Sequence, residues 1–218
     1  MKTRDYKTFA PGEYYHLFNR GNGKMDVFAD AADYSFFLSR LEEYLFPERR
    51  RAPPASRYER KSFPIGSFTL LSYCLMPNHY HLLLRQNSSL SLSSLMLGLT
   101  TGYSKYFNKK YARVGSLFQD QFKAVGVSSN EQLLWLSAYI HQNPKISGLV
   151  EHSEEYPYSS YRTYLTPGGV QLCDTKIVLE QFLKRENYQE YVESSLDAIK
   201  SRKAKELSAE GALLQSHE

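Results

Sequence analysis

The sequence predicts an α+β fold: a four-stranded antiparallel sheet with helices on one face, in the split β-α-β order of ferredoxin-like and RRM-like domains, plus a C-terminal helical extension. Three observations carry this. Alternating, aromatic-rich runs recur at 13–20, 67–77, 79–86 and 115–127. Helically spaced apolar residues fall at 30–46, 89–112 and 128–144. The tight Pro77-Asn78 turn joins the two middle strands as a hairpin.

Each element has its own signal. "EYYHLFNR" (13–20) alternates and is stopped by "GNGK". An Asp cap candidate precedes a stripe of Phe37, Leu38, Leu41, Tyr44 and Leu45. Residues 47–64 contain four prolines and many arginines, so they read as a loop. The helix at 89–112 turns basic in its second half, and "GSLFQDQFKAVGV" (115–127) reads as a strand. Ser128 and Glu131 have capping-box spacing, and Pro144 marks the end of that helix. After "YPYSSYRTYL" the chain breaks at "TPGG", followed by helical stretches at about 173–184 and 187–208. The expected organisation is one domain over 1–165 and a helical extension over 166–218.

The chain has 218 residues, 42% hydrophobic and 23% charged, enough for one domain with a real core. No apolar run approaches the roughly 20 residues of a membrane helix. The first residues, "MKTRDYKTFAPGEYY", lack the apolar stretch of a secretory signal, and the two cysteines, Cys74 and Cys173, are too few for a disulfide framework. The expected compartment is the cytoplasm. Net charge is +4, with a sequence pI near 8.9. The basic residues cluster with aromatics in two places: Arg49, Arg50, Arg51, Arg57, Arg60 and Lys61 in the loop, and Lys105, Lys109, Lys110 and Arg113 on and after the basic helix. Cations that contact phosphates beside rings that stack on bases point to nucleic acid as partner.

His79 and His81 lie two apart in a strand, so they share one face with Leu83 and Arg85, while Tyr80, Leu82 and Leu84 share the other. Two imidazoles so placed can converge on one ion, or they can be ordinary structural residues. Tyr139 and Asn143 are four apart in the last helix, about 40° apart around it. A tyrosine one turn from a carboxamide can supply a nucleophile beside a metal ligand. Equally, Tyr139 can be core and Asn143 a helix terminator before Pro144. His16, His141, His152 and His217 are read as structural or surface residues.

Taken together, "LMPNHYHLLL" and "YIHQNPKISGLV" resemble the paired motifs of the single-tyrosine HUH transposases, and most closely the REP-associated tyrosine transposases. "YYHLFNRGNGKMDVF", "YSKYFNKKYARVGSLFQDQFKAV" and "YPYSSYRTYL" also resemble stretches of that family, so the likeness covers about residues 13–165. It implies Tyr139 as nucleophile, His79 and His81 as metal ligands, Asn143 as a metal-binding amide, and Mg²⁺ or Mn²⁺ as the ion. It implies single-stranded or hairpin DNA as substrate and a covalent phosphotyrosine intermediate, made by a monomer or homodimer. The middle position of the His pair is usually aliphatic in the family; Tyr80 keeps the bulk and is expected to face the core. Two other readings stand beside this one. A non-catalytic single-stranded nucleic-acid-binding sheet would not require the Tyr–Asn pair. A His-based metallohydrolase would need a carboxylate base that neither motif supplies.

Overall fold

A computed structural model describes residues 8–49, 62–166, 168 and 171–202. Strands β1 (Tyr14–Arg20), β2 (Phe68–Met76), β3 (His79–Gln86) and β4 (Lys123–Val127) form one antiparallel sheet in the order β2-β3-β1-β4. Three longer helices, α1 (Ala31–Leu45), α2 (Leu92–Lys110) and α3 (Asn130–Ile146), are followed by short α4 (Tyr161–Leu165), α5 (Lys176–Leu179) and α6 (Arg185–Ser194). The expected sheet and its hairpin are both present.

The helices, however, do not lie on one face. Leu17, Tyr80, Leu82 and Leu84 pack into a core with Phe37 and Leu41 of α1 and Leu95, Leu99 and Tyr103 of α2. On the opposite face Leu83, Cys74 and Met76 pack against Leu133, Leu136 and Ile140 of α3, with Tyr188 and Val192 of α6 behind them. The cause is compositional. Both faces of the β2-β3 hairpin are apolar, so both need cover. A bulge maintains this pattern: Leu70 pairs with Leu84 and Ser72 with Leu83, leaving Leu71 extra. The extra residue keeps Phe68, Leu70, Tyr73 and Leu75 on the α1–α2 side and turns Cys74 and Met76 towards α3.

Element ends follow local chemistry. Asp30 caps α1 by accepting from the amides of Ala32 and Asp33, while the Asp33 carboxylate reaches back to the cap amide. The α3 cap lies one residue later than the spacing suggests. Ser129 Oγ accepts from the Gln132 amide at 3.2 Å, and Gln132 Oε1 accepts from the Ser128 amide at 2.8 Å. Pro144 does not stop α3, because in the last turn a missing N–H removes a single bond; the helix continues to Ile146. Residues 115–122 are not strand, apart from one bridge between Gly21 and Phe118. There Ser116 Oγ donates to the Phe118 carbonyl and Asp120 Oδ1 accepts from the Gln121 amide, so side chains compete for the backbone. The stretches expected helical at 173–184 and 187–208 are realised as α5 and α6, with helix again over 196–202. Residues 203–208 of the second lie outside the described residues.

Candidate active site

β3 is an interior strand, and its hairpin turn is held from outside. The Pro77 carbonyl accepts from the amides of Val27 and Phe28 at 2.7 and 2.9 Å, and the Asn78 carbonyl accepts from the Gly21 amide at 2.8 Å. Asn78 Nδ2 donates to the Lys24 carbonyl at 3.3 Å. The segment after β1 therefore fixes the residue that precedes His79. Gly21 is required there, since a Cβ would lie 2.1 Å from the Met25 carbonyl oxygen.

From this turn His79 and His81 rise on the α3 face, with ring centroids 5.0 Å apart and planes at 88°. Tyr80, between them, is fully buried on the other face against Phe37 and Phe118, as its bulk suggests. His81 is only 5% exposed, so the His face is a second core rather than a half-exposed surface. α3 brings Tyr139 over it. The phenol ring stands edge-on to His81 at 5.5 Å and to His16 at 6.0 Å. Asn143, one turn on and fully buried, donates from Nδ2 to the Tyr139 carbonyl at 2.7 Å, which leaves Oδ1 as the amide atom directed away from that carbonyl.

Four further residues belong to this place. His16 of β1 is 6% exposed, and its Nε2 lies 2.9 Å from His81 Nδ1. Burial pushes its protonation down to about 4, so it is neutral. Arg20 pairs with His79 in the β1–β3 register, and its Nε is buried with no hydrogen-bond partner. Trp135 stacks on Tyr139, and Arg202 lies over Trp135, 4.5 Å from the ring centre. The alternation of β1 places His16 and Arg20 on one face, but only the pairing register shows that this face is that of His79 and His81.

The opposite side of α3 is anchored differently. His141 is fully buried, its Nδ1 2.8 Å from Tyr188 Oη and its Nε2 2.8 Å from Ser160 Oγ. Tyr188 donates on to Ser137, so neutral His141 donates from Nδ1 to Tyr188 and accepts at Nε2 from Ser160, whose Oγ also accepts from the Tyr73 amide of β2 at 2.9 Å. The catalytic-helix candidate, α6 and the sheet thus share one polar network. His152 is exposed, and His217 lies outside the described residues.

The basic residues divide. Lys105 and Lys109 are exposed along α2, and Lys105 lines a groove of about 950 Å³ between α2 and residues 115–122. Lys110 is instead tied to Asp30 and Asp33 at 2.7 Å each. Arg113 reaches Asn108 Oδ1 at 3.4 Å. Arg49 lies over Phe46 at 3.7 Å and donates to the Gln171 carbonyl at 3.3 Å. Arg50, Arg51, Arg57, Arg60 and Lys61 lie outside the described residues.

The donor set admits a divalent ion. His79 and His81 present two imidazoles on one sheet face, and Asn143 carries an amide on α3, the helix that covers that face. Among the described residues no group of three or more His, Cys, Asp or Glu side chains is arranged to hold a metal; the residues that the resemblance would have hold an ion are His79, His81 and Asn143. Such a set favours Zn²⁺ or Ni²⁺ by intrinsic affinity over Mg²⁺ or Mn²⁺.

Residues 58–143 match the model of the family described as IS200-like transposase, a span that includes both histidines, Tyr139 and Asn143. A REP-associated tyrosine transposase solved with a REP hairpin superposes with a TM-score of 0.54 at 14% identity, over 78% of this chain and 93% of that one. A transposase candidate from Deinococcus radiodurans aligns over 65% of this chain and 97% of that one, with a TM-score of 0.38 and 13% identity. A tRNA(His) guanylyltransferase from Saccharomyces cerevisiae aligns over 87% and 76%, with a TM-score of 0.40 and 10% identity. No curated protein matches the chain. Among the described residues no helix is long and apolar enough to cross a membrane.

Proposed function

Because residues 58–143 match the model of the IS200-like transposases, we propose that Tyr139 cleaves and rejoins single-stranded DNA at a hairpin of REP type through a covalent phosphotyrosine. The observation that carries the reading is the edge-on approach of Tyr139 to His81 at 5.5 Å, with His79 on the same sheet face. Nucleophile and ligand candidates come from separate elements and meet at one place, which a simple binding sheet does not require.

The Tyr139 oxygen attacks the scissile phosphorus, and the bond to the departing 3′ oxygen breaks as the phosphotyrosine forms. The bond energy is retained, so a second 3′-hydroxyl can reverse the step with no nucleotide cofactor. A divalent ion held by His79, His81 and Asn143, Mg²⁺ or Mn²⁺ in the family's manner, supplies Lewis-acid polarisation of the phosphodiester when bound. Arg20, across from His79, adds a fixed cation to which a non-bridging oxygen can bond. Stacking on Trp135 limits the directions open to the Tyr139 ring. The exposed Lys105 and Lys109 suit contacts with the DNA backbone. Cys74 and Cys173 are buried thiols and form no disulfide, which suits a reducing cytoplasm.

The test is a hairpin oligonucleotide with a single-stranded flank, incubated with Mn²⁺ and run on a denaturing gel. A metal-dependent protein–DNA adduct that disappears in Tyr139→Phe supports the reading. Tight binding with no adduct would make the protein a non-catalytic binding module.

A further inference from the structure

We propose that His16 is a positioning residue that holds His81 with its proton on Nδ1, so that Nε2 is the nitrogen left to ligate an ion. The assignment rests on the reading of His81 as a metal ligand and adds a residue and a mechanism to it.

The argument is one of proton counting. His16 Nε2 and His81 Nδ1 are 2.9 Å apart and both rings are buried, so one of the two nitrogens carries the shared proton. If His16 donates, the only N–H of a neutral His81 sits on Nε2, and neither His81 nitrogen can bind a metal. If His81 donates, Nε2 keeps its lone pair. Only the second arrangement makes a ligand.

The sheet fixes which nitrogens meet. β1 pairs with β3 so that Phe18 is opposite His81 and His16 opposite Leu83, which makes His16 the diagonal same-face neighbour of His81. The two imidazoles stack at 5.1 Å and 25°, and Phe18 packs on both, 4.9 Å from His16 and 5.9 Å from His81. A ring flip would have to displace that stack. His79 has a parallel device of different chemistry. Its Nδ1 lies 2.6 Å from Asn78 Oδ1, an atom that can only accept, while the Asn78 amide nitrogen is turned to the Lys24 carbonyl. Both histidines are thus held as Nδ1–H tautomers, one by an amide and one by a neighbouring imidazole. Outer partners of this kind orient ligands and sustain metal affinity.

The test uses the full chain without DNA. Long-range ¹⁵N NMR of the metal-free protein should show His81 protonated at Nδ1, and calorimetry should show Mn²⁺ binding that is lost in His79→Ala. His16→Phe keeps a stacked ring but removes the acceptor; it should weaken Mn²⁺ binding about 10–100-fold and mix the His81 tautomers. His16→Gln, whose carbonyl can accept, should recover most of the affinity. Protonation of wild-type His81 at Nε2 would overturn the assignment, as would wild-type affinity in His16→Phe. If His16→Phe does not fold, the wild-type tautomer and His16→Gln decide. Absence of Mn²⁺ binding in the wild type itself would instead remove the ligand reading, and this assignment with it.

Discussion

The ring of Tyr139 lies on that of Trp135, one helical turn earlier, at a centroid distance of 5.3 Å and only 15° from parallel. The nucleophile candidate is therefore held through its ring. Tyr139→Phe retains the stack, so it should keep the melting temperature within a degree or two and bind a hairpin oligonucleotide as wild type does. Cleavage and adduct should both vanish. Residual wild-type cleavage would require another tyrosine. Tyr103 is fully buried with its hydroxyl on the Val27 carbonyl, and Tyr111 donates to Asp33 at 2.9 Å, so neither is placed to replace it.

His79→Ala and His81→Ala should separate metal binding from folding. Each should reduce Mn²⁺ affinity by more than the roughly 100-fold upper range of outer-shell changes. His79 is half-buried, and its loss should leave stability almost unchanged. His81 is buried under Tyr139 and hydrogen-bonded to His16, so its loss should also destabilise by about 1–3 kcal/mol, the cost of an unpaired buried group. Asn143→Ala should weaken binding least, a neutral amide being the poorest of the three ligands. Urea melts and calorimetry on the same samples check the ranking; equal stability loss in both histidine variants would contradict it.

Acid should weaken the α3 anchor. Burial pushes the protonation of His141 down to about 3, against 6.5 for the free side chain. Below about pH 6.5 the unfolded chain binds a proton that the native state refuses, so stability falls as pH drops from 6.5 towards 3. The slope from one such group is at most about 1.4 kcal/mol per pH unit, and buried His16 adds in the same direction. His141→Gln should be less stable at pH 7 yet show a flatter decline between pH 6.5 and 5. Tyr188→Phe, which strips a partner from both His141 and Ser137, should cost about 1–3 kcal/mol. Denaturation midpoints at four pH values test both, and parallel pH profiles for wild type and His141→Gln would refute the linkage.

The local parts of this structure were legible in the chain. Alternation and the Pro77-Asn78 turn place β2, β3 and their register, and the His-Tyr-His parity puts Tyr80 in one core and both histidines on the other face. Helical spacing puts Asn143 one turn beyond Tyr139 on α3, where its amide donates to the Tyr139 backbone carbonyl. What is not local was not legible. That α3 covers the His face depends on Leu83, Cys74 and Met76 needing burial, which a strand pattern counted as half-exposed cannot reveal. His16 and Arg20 join the site only through the β1–β3 register, a contact across about 60 residues of chain. Lys110 looked like its neighbours on the basic helix until Asp30 and Asp33, at the start of α1, proved to be its partners.

That division of the basic helix yields the last prediction. Lys105 and Lys109 are exposed one turn apart, whereas the Lys110 ammonium is shared between Asp30 and Asp33 and its protonation is pushed up by them. A cation already paired with two carboxylates of its own chain releases no counterion when DNA arrives. Binding to a hairpin with a single-stranded flank should lose about 0.7 in log–log salt slope for each true phosphate contact removed. Lys105→Gln with Lys109→Gln should therefore flatten the slope by about 1.4 and leave the melting temperature unchanged. Lys110→Gln should do the reverse. It leaves the slope alone but lowers the melting temperature, because Asp33, whose side chain is wholly buried, loses its cation beside the α1 cap. The Asp33 carboxyl is held below its usual range in the native state, so its contribution is present at neutral pH and fades on acidification through that lowered value. The Lys110→Gln deficit should accordingly shrink at low pH. A salt titration and a melt of each variant measure the two effects independently. A slope that falls in Lys110→Gln as much as in the double variant would show that DNA displaces Lys110 from Asp30 and Asp33.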